Sequence, residues 1–182
     1  MSKAVLISIR PKWVEKIANG EKNIEVRKTR PKLETPFKCY IYCTLPKYPH
    51  EDFIATDYPR PQFYGGGKVV GEFTCERIAL IAYDGGELSS TTNAAFSPAT
   101  CLTQSKIIAY IGDKGRCYGW HISDLRIYDM PRDLGEFQRA TDPCDSFHAE
   151  YTWECTDCKK LGGDIKRPPQ SWCYVEAMKD GN

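Results

Sequence analysis

Hydrophobic and polar positions follow a period of two along several short stretches of this chain, and others are short runs rich in β-branched residues. Both patterns are typical of β-strands. The predicted strands are 4–9, 23–28, 37–44, 68–78, 117–123, 125–128 and 173–176, and 80–83 is expected to continue the fourth strand after a bend. In the third strand, Tyr40 and Tyr42 fall on one face, whereas Cys39, Ile41 and Cys43 fall on the other.

Two segments have helical spacing instead. Segment 11–20 begins with a proline, which suits a first helical turn, and ends at Asn19-Gly20. Segment 103–112 begins with a threonine that can cap a helix and ends at a glycine. About seven strands and two helices without regular alternation favour an α+β fold with a mixed, mostly antiparallel sheet or small barrel over a doubly wound parallel sheet.

The length of the chain, 182 residues, predicts one domain over residues 1–182. Two polar stretches interrupt the pattern: a long loop at 45–67 and a cysteine-rich excursion at 140–167 before the last strand. No apolar run approaches the ~20 residues that span a bilayer, and the first ten residues lack the apolar core and cleavage site of a signal peptide. We therefore expect a cytoplasmic protein without a membrane association.

The segment Gly20–Arg27, with the sequence GEKNIEVR, places Lys22, Glu25 and Arg27 within six residues and has the form G-x-K-x-x-E-x-R. Alternate residues of a strand share a face, so Glu25 and Arg27 are expected to point the same way, with Lys22 in the turn before them. A glycine-ended helix that leads into a charged strand is a plausible way to build a small polar pocket. Lys22 and Glu25 are the candidate catalytic residues, and both are also candidate ligand-binding residues together with Arg27.

Each of these three side chains has alternative roles. Lys22 is a general base, a phosphate-binding cation or a solvated lysine that pairs with Glu25. Glu25 and Arg27 either form an ion pair that contributes ~0.2–1 kcal/mol on an exposed strand, or line a cleft. In a cleft, Arg27 can bind a phosphate through two parallel hydrogen bonds, and Glu25 can accept from a base amino group.

Three more residues are candidate ligand-binding residues: Lys12, Glu72 and Trp120. Glu72 lies in the middle of a strand and either faces solvent or looks into the cleft, because a buried unpaired carboxylate is costly. Trp120 is either a core residue or a surface on which a base stacks. His121, on the opposite face of the same strand, can titrate near neutrality.

The net charge is only +1, so nucleic acid would have to be attracted by a local patch. Seven of the eight basic residues of segment 10–32 form such a patch, whose alternative interpretation is a solvated basic face. Its seven members are Arg10, Lys12, Lys16, Lys22, Arg27, Lys28 and Arg30.

Four residues of the cysteine-rich excursion have metal-binding spacing. They are Cys144, His148, Cys155 and Cys158. A C-x-x-C pair with a second Cys/His pair is the ligand set of a structural zinc site, which would be the only cofactor. The alternatives are a disulfide and free thiols. Metal analysis of the freshly purified, reduced protein distinguishes the zinc site from both.

The G-x-K-x-x-E-x-R motif, after a strand and a short helix, resembles the ASCH domain of the PUA-like superfamily. Three further segments resemble small bacterial and phage members: Ile7–Val14 (ISIRPKWV), Tyr118–Ile122 (YGWHI) and Pro168–Val175 (PPQSWCYV). The likeness covers roughly residues 3–130 and the last strand. It implies a PUA-like mixed β-barrel of five to seven strands, with short helices packed at its openings and a cleft beside the motif.

The resemblance implies three functions. The superfamily is associated with RNA and with modified or flipped bases, so binding of RNA or of a nucleotide is the first. The second is an amidohydrolase acting on an acylated nucleoside such as acetylcytidine. In that branch a hydroxyl residue is the proposed nucleophile at the position of Glu25, and of the three catalytic positions only Lys22 matches. A protein-interaction module is the third, and whether the protein is an enzyme stays open at this point.

Overall fold

The computed structural model of the chain describes residues 2–45, 65–84, 87–91, 96–140 and 163–178. These residues form nine strands in one sheet, with short helices beside it. In chain order the elements are β1 (Lys3–Ile9), α1 (Pro11–Ala18), β2 (Ile24–Arg27), β3 (Phe37–Cys43), β4 (Lys68–Asp84), β5 (Glu87–Ser90), α2 (Phe96–Thr100), α3 (Gln104–Ile111), a 3-10 turn (Gly112–Lys114), β6 (Arg116–Arg132), a second 3-10 turn (Leu134–Glu136), β7 (Gln138–Arg139), β8 (Gly163–Asp164) and β9 (Trp172–Glu176).

The sheet has the strand order β2-β6-β4-β3-β1-β9-β7-β8, and β5 pairs with the end of β4. β1 runs parallel to β3, and every other pair in the described part of the chain is antiparallel. The predicted α+β class with a mixed, mostly antiparallel sheet is confirmed.

The predicted closed barrel of five to seven strands is wrong, because the sheet is open and has nine strands. Within the described ranges no backbone ladder joins β2 to β8. Side chains bridge the gap beside β2 instead. Arg27 Nη2 donates to the carbonyl oxygen of Ser8 in β1 at 2.6 Å, and Trp172 Nε1 of β9 donates to Oγ1 of Thr29 at 3.0 Å. The four-residue β2 thus approaches β1 and β9 without forming a ladder with them.

The two longest strands each join stretches that the sequence pattern separates. β4 combines the predicted strand 68–78 with its continuation at 80–83, and its register with β6 shifts between Cys75 and Ile78. β6 joins the predicted strands 117–123 and 125–128 through Asp124, whose φ of 47° lies in the left-handed region that Asp tolerates. β5 and α2 lie in a segment for which the sequence pattern predicts neither a strand nor a helix.

The core lies on both faces of β1, because β1 is an interior strand between β3 and β9. One face contributes Val5, Ile7 and Ile9 to a cluster that also contains residues of α1. The other face contributes Ala4 and Leu6 to a second cluster. The predicted faces of β3 are confirmed, since Cys39, Ile41 and Cys43 belong to the first cluster, and Tyr40 and Tyr42 to the second.

The two predicted helices are confirmed as α1 and α3. The Thr103 side chain accepts from the backbone N–H of Lys106 at 3.4 Å and so caps α3 as predicted. α3 buries Ile107 and Ile111 against Val26 of β2. Among the residues described, no helix has the length and apolar character to cross a membrane.

Candidate functional site

β2 places Glu25 and Arg27 on one face of the sheet, as the sequence predicts. Its partner is β6, where Glu25 lies opposite Trp120 and Arg27 lies opposite Tyr118. Val26 points to the other face and packs beneath α3. The polar positions of the strand are therefore turned inward, and both charged residues are buried.

Lys22 enters the same region from the turn after α1. Gly20, with φ 76°, ends the helix, and the Lys22 N–H donates to the carbonyl of Lys16. The ammonium is 2% exposed and donates to the carbonyl oxygens of Ile24 at 2.7 Å and Thr100 at 2.9 Å. Lys22 is therefore a buried cation that joins three segments, and the interpretation as a solvated turn lysine is wrong.

Glu25 lies between the two cations. Its Oε2 is 3.3 Å from Lys22 Nζ, and its Oε1 is 3.1 Å from Arg27 Nε. These contacts are ion pairs without hydrogen-bond geometry, so Glu25 Oε2 and Arg27 Nε have no hydrogen-bond partner in the described part of the chain. We refer to Lys22, Glu25 and Arg27 as the buried trio. It contains two cations and one carboxylate and therefore has a net positive charge.

The trio lies at the base of a cavity of about 480 Å³. β1, α1, β2 and the residues next to them supply most of the wall. Residues of α3 and the segments just before α3, after β3 and before β9 supply the rest. The lining residues are Ser8, Ile9, Arg10, Trp13, Lys22, Glu25, Val26, Arg27, Thr44, Leu102, Lys106, Tyr110 and Gln170. Four cationic side chains against one carboxylate give the lining a strongly positive balance.

Two aromatic side chains contribute to the cavity wall, Trp13 of α1 and Tyr110 of α3. The Trp13 ring centroid is 5.4 Å from Lys22 Nζ. Burial raises the pKa of Tyr110, an effect that the Arg27 charge opposes, so its hydroxyl is protonated at neutral pH and can donate. Tyr110, Lys106 and Gln170 are not among the residues predicted from the sequence, because they are distant from the motif and no local pattern links them to it.

The other predicted ligand-binding residues lie outside the lining. Lys12 is exposed and sits over the Trp13 ring at 5.2 Å, next to the cavity. Glu72 is half-buried, accepts from the Tyr128 hydroxyl at 2.6 Å and pairs with Lys38 at 3.6 Å. Trp120 is fully buried and packs against Phe37 and Trp172 in the core.

The basic patch of segment 10–32 is divided by the fold. Lys22 and Arg27 are buried against Glu25, and Lys16 pairs with Glu21 at 2.7 Å. The remaining four cations pair with no carboxylate in the part of the chain that the structure describes. They are Arg10, Lys12, Lys28 and Arg30.

The predicted zinc ligands Cys144, His148, Cys155 and Cys158 lie outside the described residues. Within the described ranges, no group of three or more His, Cys, Asp or Glu side chains is arranged to hold a metal ion. The six cysteines there form no disulfide with one another, and burial raises the pKa of Cys75 to about 12 and of Cys117 to about 11. These two thiols are inert at neutral pH.

No protein-family model matches this sequence. No curated protein matches it either.

Solved structures do match this fold. The ASCH protein of Zymomonas mobilis superposes with a TM-score of 0.56 at 17% identity, covering 95% of this chain and 87% of that one. Two single-residue variants of that protein superpose with TM-scores of 0.57 and 0.54 at 16% identity. They cover 96% and 95% of this chain, and 91% and 88% of theirs. At this level of identity the likeness concerns the fold, and the protein therefore has the fold of an ASCH domain.

Proposed function

We propose that the cavity binds a nucleotide, either free or as part of an RNA from which the base has been displaced. The observation that carries the proposal is the buried trio of Lys22, Glu25 and Arg27 at the base of a cavity lined by four cations and one carboxylate. Burying two cations beside one acid is costly unless an anion completes the balance. A nucleotide phosphate is such an anion.

The dimensions and the polar groups of the cavity fit this ligand class. A volume of about 480 Å³ lies in the range of small-molecule sites, which is ~300–1,000 Å³. Arg10 and Lys106 are exposed, lie on the lining and pair with no described carboxylate, so they are available to a phosphate. Both lie where α1 and α3 begin, and the partial positive charge of a helix start adds to theirs.

Base recognition would fall to the trio and the aromatic wall. The carboxylate of Glu25 can accept from an exocyclic amino group or a ring N–H. Trp13 and Tyr110 place aromatic rings in the cavity wall, and stacking of a base on such a ring contributes ~1–3 kcal/mol per base in single-strand binding. A displaced base needs this combination of polar edges and a stacking surface.

The contacts of Lys22 favour binding over hydrolysis. A general base needs a free lone pair, whereas Nζ of Lys22 donates to two carbonyl oxygens and lies 3.3 Å from a carboxylate. The ammonium form fits these three acceptors. We expect no turnover of acylated cytidines, and turnover that disappears in Lys22→Met would establish the hydrolase instead.

Calorimetric titration with the four ribonucleoside monophosphates and with short RNAs tests the proposal. Arg10→Ala and Lys106→Ala remove exposed cations with little effect on folding, and Arg27→Gln removes a buried one. We expect each to weaken binding about 10- to 150-fold, since a charged hydrogen bond contributes ~1.5–3 kcal/mol. Lys114→Ala, at an exposed cation of the first 3-10 turn that does not line the cavity, is the matched control.

Unchanged affinity in all three cavity variants, with folding verified by circular dichroism, would place the ligand elsewhere. A pull-down that returns protein without RNA or nucleotide would favour the interaction module.

A further inference from the structure

Two cations that follow β2 lie over aromatic rings. Lys28 Nζ is 5.1 Å from the ring centroid of Tyr110, and the Arg30 guanidinium carbon is 5.9 Å from that of Tyr118. We refer to these four residues, Lys28, Arg30, Tyr110 and Tyr118, as the flanking strip.

The flanking strip adjoins the cavity at both of its aromatic residues. Tyr110 itself lines the cavity, so Lys28 lies at its rim. Tyr118 is the strand partner of Arg27, which also lines the cavity. A ligand group that leaves the cavity past Arg27 would therefore meet Arg30 next, and one that leaves past Tyr110 would meet Lys28.

The chain that carries these cations is fixed to the body of the protein. Trp172 Nε1 donates to Thr29 Oγ1 at 3.0 Å, between the two cations. The Lys32 N–H donates to the Tyr174 hydroxyl at 2.7 Å. Both anchors belong to β9, so Lys28 and Arg30 start from a preorganised backbone, which lowers the entropy cost of binding.

No carboxylate in the described residues pairs with Lys28 or Arg30, although the chain contains nearly as many acidic as basic residues. Unpaired cations over aromatic rings are the elements with which proteins hold single-stranded nucleic acid. The cations contact phosphates, and the rings and the guanidinium plane stack with bases.

We propose that the flanking strip binds the nucleotides next to the one in the cavity, so that the ligand is a single-stranded nucleic acid rather than a free nucleotide. Lys28 contacts a phosphate, and the open face of the Arg30 guanidinium stacks on a neighbouring base. A single strand can place one base in the cavity without first breaking a base pair. This inference rests on the proposed function, whose site supplies the central nucleotide.

The test compares ribonucleoside monophosphates with mixed-sequence pentamers of RNA and of DNA, each titrated at several salt concentrations. The variants are Lys28→Ala, Arg30→Ala and Arg30→Lys, with Lys114→Ala as the control of equal charge change. None of the strip cations lines the cavity, so binding of monophosphates reports on the cavity alone.

We expect a pentamer to bind at least tenfold more tightly than any monophosphate at low salt. Lys28→Ala and Arg30→Ala should each weaken pentamer binding about 3- to 10-fold. Arg30→Ala should leave monophosphate binding unchanged, and Lys28→Ala, at the rim of the cavity, should weaken monophosphate binding less than it weakens pentamer binding. A plot of log affinity against log salt concentration has a negative slope, and each lost phosphate contact makes this slope shallower by ~0.7. Arg30→Lys should keep the salt slope and lose affinity, because the stacking plane is gone.

Monophosphate binding with no gain for pentamers, or strip variants that behave like Lys114→Ala, would overturn the inference and leave the proposed function intact. Tighter binding of duplex than of single strands would also overturn it. If neither monophosphates nor pentamers bind, the proposed function and this inference fail together. The RNA and DNA pentamers show whether the 2′-hydroxyl contributes.

Discussion

Lys22 and Glu25 are three residues apart and form an ion pair of 3.3 Å in which the two side chains are only 2% and 8% exposed. The pair joins the turn after α1 to β2, and the same ammonium reaches the carbonyl oxygen of Thr100 at the end of α2. A charge pair at this depth is strongly coupled to folding, because each partner is costly to bury alone.

Glu25→Gln should strongly destabilise the protein. The substitution removes the only negative charge of the trio and leaves Lys22 and Arg27 buried side by side. Loss of one partner from a buried ion pair typically costs ~3–5 kcal/mol, which urea unfolding can measure. The double variant Lys22→Met/Glu25→Gln should recover part of this loss. Strictly additive effects of the two substitutions would contradict the coupling that the geometry implies.

Arg27→Lys should destabilise the protein although the charge is kept. The planar guanidinium of Arg27 contacts two partners at once: Nη2 donates to the carbonyl oxygen of Ser8 in β1, and Nε lies near Glu25. The single ammonium nitrogen of a lysine does not reproduce this geometry. We expect a loss of ~1–3 kcal/mol and faster amide exchange in β1 near Ser8. Exchange rates equal to those of the wild-type protein would show that the link between β2 and β1 is dispensable.

His121 should make the protein less stable as the pH falls. Burial, assisted by the Arg77 charge and opposed by Glu76, holds the pKa of His121 below its ordinary value of 6.5. Below that value the unfolded chain binds a proton before the folded protein does, so the free energy of unfolding falls by up to ~1.4 kcal/mol per pH unit. The loss begins as the pH drops through 6.5 and ends below the folded pKa.

Unfolding curves at pH 7 and pH 5 measure this effect, with His121→Gln as the comparison. The variant should lose stability less steeply over this interval. Equal slopes for both proteins would assign the pH dependence to other groups.

The cysteines should differ widely in reactivity. Cys39, Cys75 and Cys117 are buried, and burial raises the pKa of all three thiols. Cys101 is partly exposed. Brief alkylation at pH 8 followed by peptide mass mapping should therefore label Cys101 at least tenfold faster than these three. Labelling of Cys39 at a comparable rate would indicate that the core opens readily.

Gly71→Ala should destabilise the sheet. A Cβ at this position would lie 2.5 Å from the backbone carbonyl oxygen of Arg126 in β6, and backbone cannot move away as a flexible side chain can. We expect a loss of ~1–3 kcal/mol in thermal or urea unfolding. Gly135→Ala, where a Cβ would meet nothing within 4 Å, should be nearly neutral. Equal stabilities for the two variants would contradict the close approach of β4 and β6.

Local patterns were sufficient for the elements whose residues interact with their sequence neighbours. The alternation at Ile24–Arg27 placed Glu25 and Arg27 on one face, and the cap at Thr103 located the start of α3. The predicted break at Asp124 was misleading, because a left-handed residue bends β6 without ending its ladder, whereas the predicted continuation of β4 after a bend is confirmed.

By itself, the sequence determined the mixed α+β class, the two main helices and the motif on which the candidate site is built. Only the tertiary structure decided that the sheet stays open, that Lys22 is a buried cation between two carbonyls and a carboxylate, and that Trp120 belongs to the core. The reason is that a periodic pattern specifies which face a residue occupies. What lies opposite that face depends on segments distant in sequence, such as Thr100, Tyr110 and Gln170.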